Sequence, residues 1–102
     1  MTSANIAEKI RIEISKHWEI SNAHGVNLQK CLIQPLKQKY LSFDKKETYE
    51  LWTVLEEIPD GSGYKIVYDE KEDLFGLGLL TDKNELINIG FYGDFLTTLE
   101  AM

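Results

Sequence analysis

The chain has 102 residues, enough for one domain with one core, and its 17 acidic residues against 11 basic ones give a net charge of −6. This balance disfavours nucleic acid as a partner, because phosphate binding requires many cations. No stretch approaches the roughly 18 apolar residues of a membrane span, and charges interrupt the N-terminal segment where a secretion signal needs an apolar core. We therefore expect a cytoplasmic protein that is not bound to a membrane, and the single cysteine, Cys31, is typical of a reducing compartment.

The N-terminal segment has the pattern of an amphipathic helix. Its apolar residues recur at intervals of four, at Ile6, Ile10, Ile14 and Trp18. The charged residues fall mostly on the other side, so we expect the apolar side to pack on the core. Ser3 precedes this pattern and is the expected N-cap.

Residues 27–43 allow two interpretations, an extended strand or a short helix. Pro35 cannot donate a hydrogen bond within a central strand, and it is also disfavoured inside a helix. We favour a strand that is interrupted near Pro35 or lies at an edge there. Residues 44–46 are then expected to form a turn.

A β-hairpin is predicted from the following stretch. Residues 49–58 could form a helix, but their aromatic and β-branched residues favour a strand. Residues 59–63, with the sequence Pro-Asp-Gly-Ser-Gly, have strong turn chemistry. Tyr64, Ile66 and Tyr68 then alternate on one face of a second strand. Two such runs joined by a glycine-containing turn predict a hairpin.

Two more strands and a short helix complete the predicted order. The strands are expected at 75–80 and 86–91, and Gly76 and Gly78 share a face of the first, where we expect something to pack closely. Asp94 is the expected N-cap of the last helix. The candidate core contacts of this helix are Phe95, Leu96 and Leu99.

This order of elements predicts the fold class. We expect one domain over residues 1–102, of α+β class, with an antiparallel meander sheet of four to five strands. The N-terminal helix would pack on one face of the sheet, and a short helix would follow at the C-terminus. Because no helix is expected on the other face, some aromatic side chains there would be half-exposed. The candidates are Tyr40, Trp52, Tyr64, Tyr68 and Tyr92.

Most of the negative charge lies in and around the predicted hairpin. Residues 56–73 contain seven acids against two lysines. Such a surface attracts a basic partner and accelerates the encounter. The acids are Glu56, Glu57, Asp60, Asp69, Glu70, Glu72 and Asp73.

Catalytic and metal-binding motifs fit the chain poorly. Cys31 lies among apolar residues, which favours a buried, inert thiol over a nucleophile paired with His17 or His24. Two histidines without a third ligand do not make a metal site. The acidic run 69–73 lacks the glycine and the glutamate that a calcium loop needs at its sixth and twelfth positions. We expect no enzyme activity, no cofactor and no metal.

Four blocks of the sequence resemble a family of small bacterial immunity proteins from contact-dependent growth inhibition and related polymorphic toxin systems. They cover roughly the C-terminal half and are LWTVLEEIP (51–59), GYKIVYDE (63–70), FGLGL (75–79) and IGFYGDFLTTLEAM (89–102). The resemblance implies a protein that binds the toxic C-terminal domain of a neighbouring cell's effector, often a nuclease. It also implies that the protein blocks this domain without chemistry of its own.

The resemblance and the charge together predict an antitoxin whose partner is a cognate, basic toxin domain. Tyrosines are favoured as anchors in such interfaces, and the carboxylates would pair with lysine or arginine. The predicted toxin-binding residues are Glu56, Glu57, Asp60, Tyr64, Tyr68, Asp69, Glu70, Glu72 and Asp73. The alternatives are an adaptor or a homodimeric interaction domain that uses the uncovered sheet face, and a small enzyme dependent on a ligand or a metal.

Overall fold

The computed structural model describes residues 1–19 and 25–102 and confirms the predicted α+β fold. Five strands follow one another in a meander, with a helix before them, a short helix after them and one further helical turn just ahead of the first strand. The elements are α1 (Ser3–Ile14), α2 (Leu28–Cys31), β1 (Leu32–Leu41), β2 (Thr48–Glu56), β3 (Lys65–Asp69), β4 (Leu74–Leu80), β5 (Leu86–Gly93) and α3 (Phe95–Ala101).

The sheet closes on itself. Consecutive strands pair antiparallel, and β1 meets β5 at one parallel pair, Leu41 with Ile87. The outer face forms the larger core, which includes the buried residues of α1 and α3. A smaller core of Tyr40, Leu51 and Val67 lies on the other face, where the curled strands cover one another. Both faces of the sheet are therefore buried over much of their area.

Helix α1 packs on the outer face as predicted, with Ile6, Ile10 and Ile14 buried. Its N-cap is Thr2, so the prediction of Ser3 was wrong by one residue. The Thr2 hydroxyl accepts a hydrogen bond from the Asn5 N–H, and the Asn5 side chain accepts one from the Thr2 N–H. This reciprocal pair is a capping box that satisfies two donors at once.

The Ser3 hydroxyl has a different partner, because it donates to the carbonyl oxygen of Pro35 at 2.7 Å. The bond joins the start of α1 to β1. At the other end, α1 stops at Ile14, where Ser15 adopts a φ of 47°. Trp18 lies beyond the helix and still packs against the same core.

Strand β1 confirms the extended interpretation for most of residues 27–43. The pairing of β1 with β2 is irregular between Leu32 and Leu36, which brackets Pro35. An irregularity at this point is expected, because a proline cannot donate to the ladder. The four residues before the strand form α2, so the helical alternative holds for one turn only.

The predicted hairpin is formed by β2 and β3, which pair from Trp52 with Tyr68 to Glu56 with Lys65. Ile66 and Tyr68 belong to the outer core and Val67 to the inner one, which confirms the alternation predicted for this strand.

Of the five aromatic candidates for a half-exposed position, three are buried. Tyr40 is fully buried, Tyr68 is 2% exposed and Trp52 is also in the core. Closure of the sheet encloses Tyr40, and the Phe75 ring lies 4.7 Å from the Tyr68 ring. Tyr64 is half-buried, whereas Tyr92 is 41% exposed. Closure of the sheet therefore explains the burial of Tyr40, whereas Trp52 and Tyr68 are buried in the larger core on the outer face.

The close packing predicted at Gly76 and Gly78 is confirmed. A Cβ atom at Gly78 would lie 2.8 Å from a ring carbon of Tyr40, and one at Gly76 would lie 2.3 Å from the carbonyl oxygen of Gly90. Because these two glycines have no Cβ atom, the Tyr40 ring and the Gly90 backbone can pack directly against β4.

Helix α3 begins at its predicted cap. The Asp94 carboxylate accepts a hydrogen bond from the Thr97 N–H at 2.8 Å, and Phe95 and Leu99 are buried. In the described part of the chain, no helix has the length and hydropathy needed to cross a bilayer.

Candidate protein-binding surface

The predicted toxin-binding residues lie in two groups at opposite ends of β3. One group surrounds the turn at residues 57–63, between β2 and β3, and the other surrounds the turn at residues 69–73, between β3 and β4. A five-residue strand places these ends about 13 Å apart. The structure therefore divides the acidic set into two smaller surfaces, named below the 57–63 turn and the 69–73 turn.

Glu70 in the 69–73 turn is bonded to three donors from distant parts of the chain. Its carboxylate lies 3.0 Å from the N-terminal ammonium of Met1, 3.1 Å from Trp52 Nε1 and 3.2 Å from Lys37 Nζ. Hydrogen bonds from these groups, that of the ammonium first, lower the pKa of Glu70 to about 2. Glu70 thus joins the start of the chain to the sheet.

Asp73 has a similar internal role. It accepts a hydrogen bond from the Tyr68 hydroxyl at 2.7 Å and lies 3.2 Å from Lys9 Nζ on α1. The Tyr68 bond, followed by the one from Lys9, lowers the pKa of Asp73. Burial, together with the nearby Asp73 carboxylate, raises the pKa of Tyr68. Tyr68 is buried and positions Asp73, so it does not project from the surface as an anchor would.

The other two acids of this turn have no such partners. Asp69 accepts a local hydrogen bond from the Lys71 N–H at 2.9 Å, and Glu72 is exposed. Within residues 1–19 and 25–102, neither carboxylate forms an ion pair. Two of the four carboxylates in the 69–73 turn are therefore bonded to other elements, and the other two, a half-buried Asp69 and an exposed Glu72, form no ion pair with a described residue.

In the other group, Glu56 is paired inside the protein. Lys65 is 5% exposed, and its Nζ lies 2.9 Å from the Glu56 carboxylate. The turn packs over this pair, since a Cβ atom at Gly61 would lie 3.4 Å from Lys65 Nζ. A buried lysine needs such a partner, because an unpaired charge there is strongly disfavoured. The main role of Glu56 is therefore to neutralise the buried charge of Lys65, rather than to face a partner protein.

Glu57 is held against the backbone of the same turn. Its N–H donates to the Tyr64 carbonyl at 2.9 Å, and its side-chain Oε1 accepts from the Tyr64 N–H at 3.0 Å. The side chain lies across Gly63, where a Cβ atom would be 2.6 Å from Oε1. Gly63 therefore allows Glu57 to reach its backbone partner, which fixes the position of the carboxylate.

Asp60 stands at the tip of the 57–63 turn and is exposed. Its carboxylate accepts a hydrogen bond from the Ser62 N–H at 2.8 Å. Hydrogen bonds from the Ser62 hydroxyl and backbone lower the pKa of Asp60, so it is ionised at neutral pH. It forms no ion pair with any residue that the structure describes.

A small open cavity of about 220 Å³ lies beside Glu57. Sequence reasoning missed its apolar walls, Leu79 and Leu80, because it placed a strand over residues 75–80 without assigning the burial of its last two residues. Ile58, next to the cavity in the chain, is 41% exposed. The cavity is lined by Glu57, Ser62, Gly63, Tyr64, Leu79 and Leu80.

A buried polar network on the inner face was also missed. The Tyr40 hydroxyl lies 2.6 Å from Thr53 Oγ1, which in turn lies 2.6 Å from Gln38 Oε1. Burial raises the pKa of Tyr40 to about 12, so the phenol stays protonated. The antiparallel pairing of β1 with β2 brings these groups together, and no local pattern in the sequence marks them.

The structure describes two of the three residues considered for catalysis or metal binding, Cys31 and His17. Cys31 is half-buried, with its Sγ 3.7 Å from the carbonyl oxygen of Glu57. His24 lies outside the described residues. Among residues 1–19 and 25–102, no three His, Cys, Asp or Glu side chains are grouped so as to hold a metal ion.

Comparisons with known proteins found no relative of this chain. No family model, no curated protein and no solved structure matches the chain. The geometry of the two turns is therefore the physical basis for a functional proposal.

Proposed function

We propose that the protein is a bacterial immunity protein that binds a cognate toxin domain in the cytoplasm and neutralises it. The toxin domain would be a basic nuclease, and the immunity protein would catalyse no reaction itself. The proposal draws on the resemblance of four sequence blocks to such proteins. The observation that carries it is the exposure of ionised carboxylates at both ends of β3, in a chain of net charge −6.

The charge distribution suits a basic partner. A nuclease domain needs a cationic surface to hold phosphates, and a negative surface accelerates its encounter with an inhibitor. Asp60, Asp69 and Glu72 form no ion pair with another described residue, so a cation of the partner would not have to displace an internal one. Contacts at the rim of such an interface mainly set the association rate.

The test starts from the gene neighbourhood. The C-terminal domain of a secreted effector encoded immediately upstream would be produced with and without this protein, and cell growth would be followed. We expect growth to be restored only when both are present. Calorimetry with the purified proteins would then show a complex whose affinity falls between about 50 mM and about 200 mM salt.

Two results would contradict the proposal. One is a neighbouring effector domain that remains toxic and unbound in the presence of this protein. The other is a stable homodimer in a light-scattering concentration series, combined with no affinity for the effector domain, which would favour the interaction-domain alternative.

A further inference from the structure

A second open cavity, of about 350 Å³, lies between α1, α2 and the first residues of β1. Its volume falls in the range of roughly 300–1,000 Å³ that is typical of small-molecule sites, and its lining is mostly apolar, as in such sites. The apolar walls are Ala7, Ile10, Trp18, Leu28, Leu32 and Ile33.

The cavity arises from an irregularity in β1 opposite a small residue of α1. The register changes between Leu32, which pairs with Leu55, and Leu36, which pairs with Thr53, so β1 has two more residues than β2 over this stretch. Extra residues of this kind bend a strand away from the regular ladder. On the facing helix, Ala7 lines the cavity with a single methyl group. The space between the two elements is therefore left open by the backbone of one and the side chain of the other.

Hydrogen bonds hold the walls of the cavity in place. The Ser3 hydroxyl donates to the Pro35 carbonyl oxygen at 2.7 Å, and Gln34 Nε2 donates to the same hydroxyl at 2.7 Å. These bonds tie the start of α1 to the irregular part of β1. The Asn27 side chain accepts from the Lys30 N–H at 3.2 Å and caps α2. A ligand would meet a preformed site, so binding would need little ordering of the protein.

The walls favour a flat apolar ligand. Ile10 and Leu28 are almost fully buried at the base, and the half-buried Trp18 presents an aromatic ring. Apolar surface that is partly open gains free energy when an apolar group covers it. An aromatic ligand would gain more, because offset or edge contacts with the indole ring add to the area effect.

Arg11 adds a cationic group to this apolar lining. Its Nη2 donates to Glu8, one helical turn earlier, and the two side chains are 58% and 57% exposed. An exposed pair of this kind contributes little to stability. A guanidinium has five N–H donors, so Arg11 can keep its bond to Glu8 and still donate to a ligand.

The charge of the surrounding chain also favours an anionic ligand. Residues 1–43, which include the whole described lining, contain six basic and three acidic residues, although the full chain has a net charge of −6. A carboxylate matches a guanidinium in shape, because both are planar and can form two parallel hydrogen bonds.

We infer that this cavity binds a small aromatic carboxylic acid, with its ring against Trp18 and its carboxylate on Arg11. The ligand would occupy a site separate from the two acidic turns, so the inference goes beyond the proposed function and does not depend on it.

The test uses three naphthalene compounds of similar size, titrated into the isotope-labelled protein and followed by NMR. They are naphthoate, which is anionic, naphthylmethanol, which is neutral, and naphthylmethylamine, which is cationic. We expect saturable shifts of the Trp18 indole signal and of the Ala7 and Leu32 methyl signals. Naphthoate should bind about fivefold more tightly than the alcohol, the amine should bind most weakly, and acetate, which lacks the ring, should cause no such shifts.

Two variants separate the roles of charge and space. Arg11→Gln should weaken naphthoate binding about fivefold and leave binding of the alcohol unchanged. Lys16→Gln is the matched control, because it removes the same charge from an exposed position of the same segment and should bind naphthoate like the unchanged protein. Ala7→Leu places a larger side chain in the cavity and should abolish the shifts with all three compounds.

Three results would overturn the inference: equal affinity for the anionic, neutral and cationic compounds, unchanged naphthoate affinity in Arg11→Gln, or shifts centred outside the cavity. The NMR spectrum of free Ala7→Leu would check that this variant is folded. If it does not fold, the series of compounds and the comparison of Arg11→Gln with Lys16→Gln still decide the question. Binding of the toxin domain is measured independently, so failure here leaves the immunity function in place.

Discussion

Glu70 accepts hydrogen bonds from the Met1 ammonium, Lys37 and Trp52, which are 69, 33 and 18 residues away in the chain. A carboxylate in an exposed turn usually contributes little to stability. Here one side chain joins the N-terminus, β1 and β2, and Asp73 beside it holds Lys9 of α1. At the scale of single residues, part of the acidic surface therefore stabilises the fold through internal bonds.

The first prediction concerns the pH dependence of stability in Glu70→Gln. The pKa of Glu70 falls from its ordinary 4.5 to about 2 on folding, so its contribution is complete above about 4.5 and is lost as the pH falls toward 2. The variant should have a lower midpoint of urea unfolding at neutral pH. Its stability should also decline less steeply with acid in that window.

Urea titrations at several pH values would measure both effects. Glu72→Gln is the control, because the exposed Glu72 forms no ion pair in the described part of the chain and its change should leave the curve in place. An unchanged midpoint in Glu70→Gln would show that its three bonds do not stabilise the fold.

The sequence predicted that the candidate site is negatively charged, but not how most of its carboxylates are bonded. The count of acids in residues 56–73 identified a negative region, and that region lies on exposed turns. The pairing of Glu56 with Lys65 lies within the predicted hairpin and could have been inferred from its register. The bond of Glu70 to the N-terminus and that of Asp73 to α1 could not, because they depend on how the N-terminal segment and its helix dock on the sheet.

At the scale of elements, the turn at residues 59–63 and the cap of α3 were predictable, whereas the cap of α1 was wrong by one residue. Proline, glycine and aspartate restrict the backbone locally, so residues 59–63 and Asp94 acted as expected. Whether the sheet closes depends on the contact of β1 with β5, whose paired residues Leu41 and Ile87 lie far apart in the chain. No local pattern reports such a contact, so the burial of Tyr40 was not predicted.

The second prediction tests the cap of α3. Asp94→Ala removes the acceptor for the Thr97 N–H and should cost about 1 kcal/mol of unfolding free energy. Glu100→Ala is the control, because Glu100 is an exposed position of the same helix away from the cap and its change should be close to neutral. Thermal and urea unfolding of both variants would check this, and equal stability of the two would contradict it.

The third prediction concerns the close approach of β4 to Tyr40. Gly78→Ala places a methyl group 2.8 Å from the buried ring, so the ring or the strand must shift. Such overpacking costs about 1–3 kcal/mol. In a background with Tyr40→Leu, the same glycine substitution should cost less, and a double-mutant cycle by urea unfolding would measure the coupling. Purely additive effects would mean that the two residues do not compete for space.

At the scale of the whole molecule, the net charge of −6 acts on association rather than on the fold. Reversing all four carboxylates of the 69–73 turn would break the bonds of Glu70 to the N-terminus, β1 and β2 and the bond of Asp73 to α1, so that experiment would change folding and binding together. Changes confined to Glu72 or Asp69 isolate the electrostatic contribution.

The fourth prediction follows from this separation. Glu72→Lys should leave the unfolding free energy within about 0.5 kcal/mol, because Glu72 is exposed. It should lower the association rate with the toxin domain about threefold at low salt. Stopped-flow measurements would compare it with Glu100→Lys, which makes the same change of charge on an exposed position of α3. Equal rates for the two variants would contradict a role for the 69–73 turn in steering.

Strands β1 and β5 are joined by a single residue pair. This arrangement determines how the entropic cost of closing the sheet depends on the length of the chain between the two strands. The loop between Leu41 and Ile87 contains the three middle strands and all the turns discussed above. Its closure entropy grows only with the logarithm of its length, by about 0.6 kcal/mol for each doubling. Insertions in the intervening turns would therefore add little to the entropic cost of the contact between β1 and β5, provided that they leave the bonds of Glu70 and Asp73 in place.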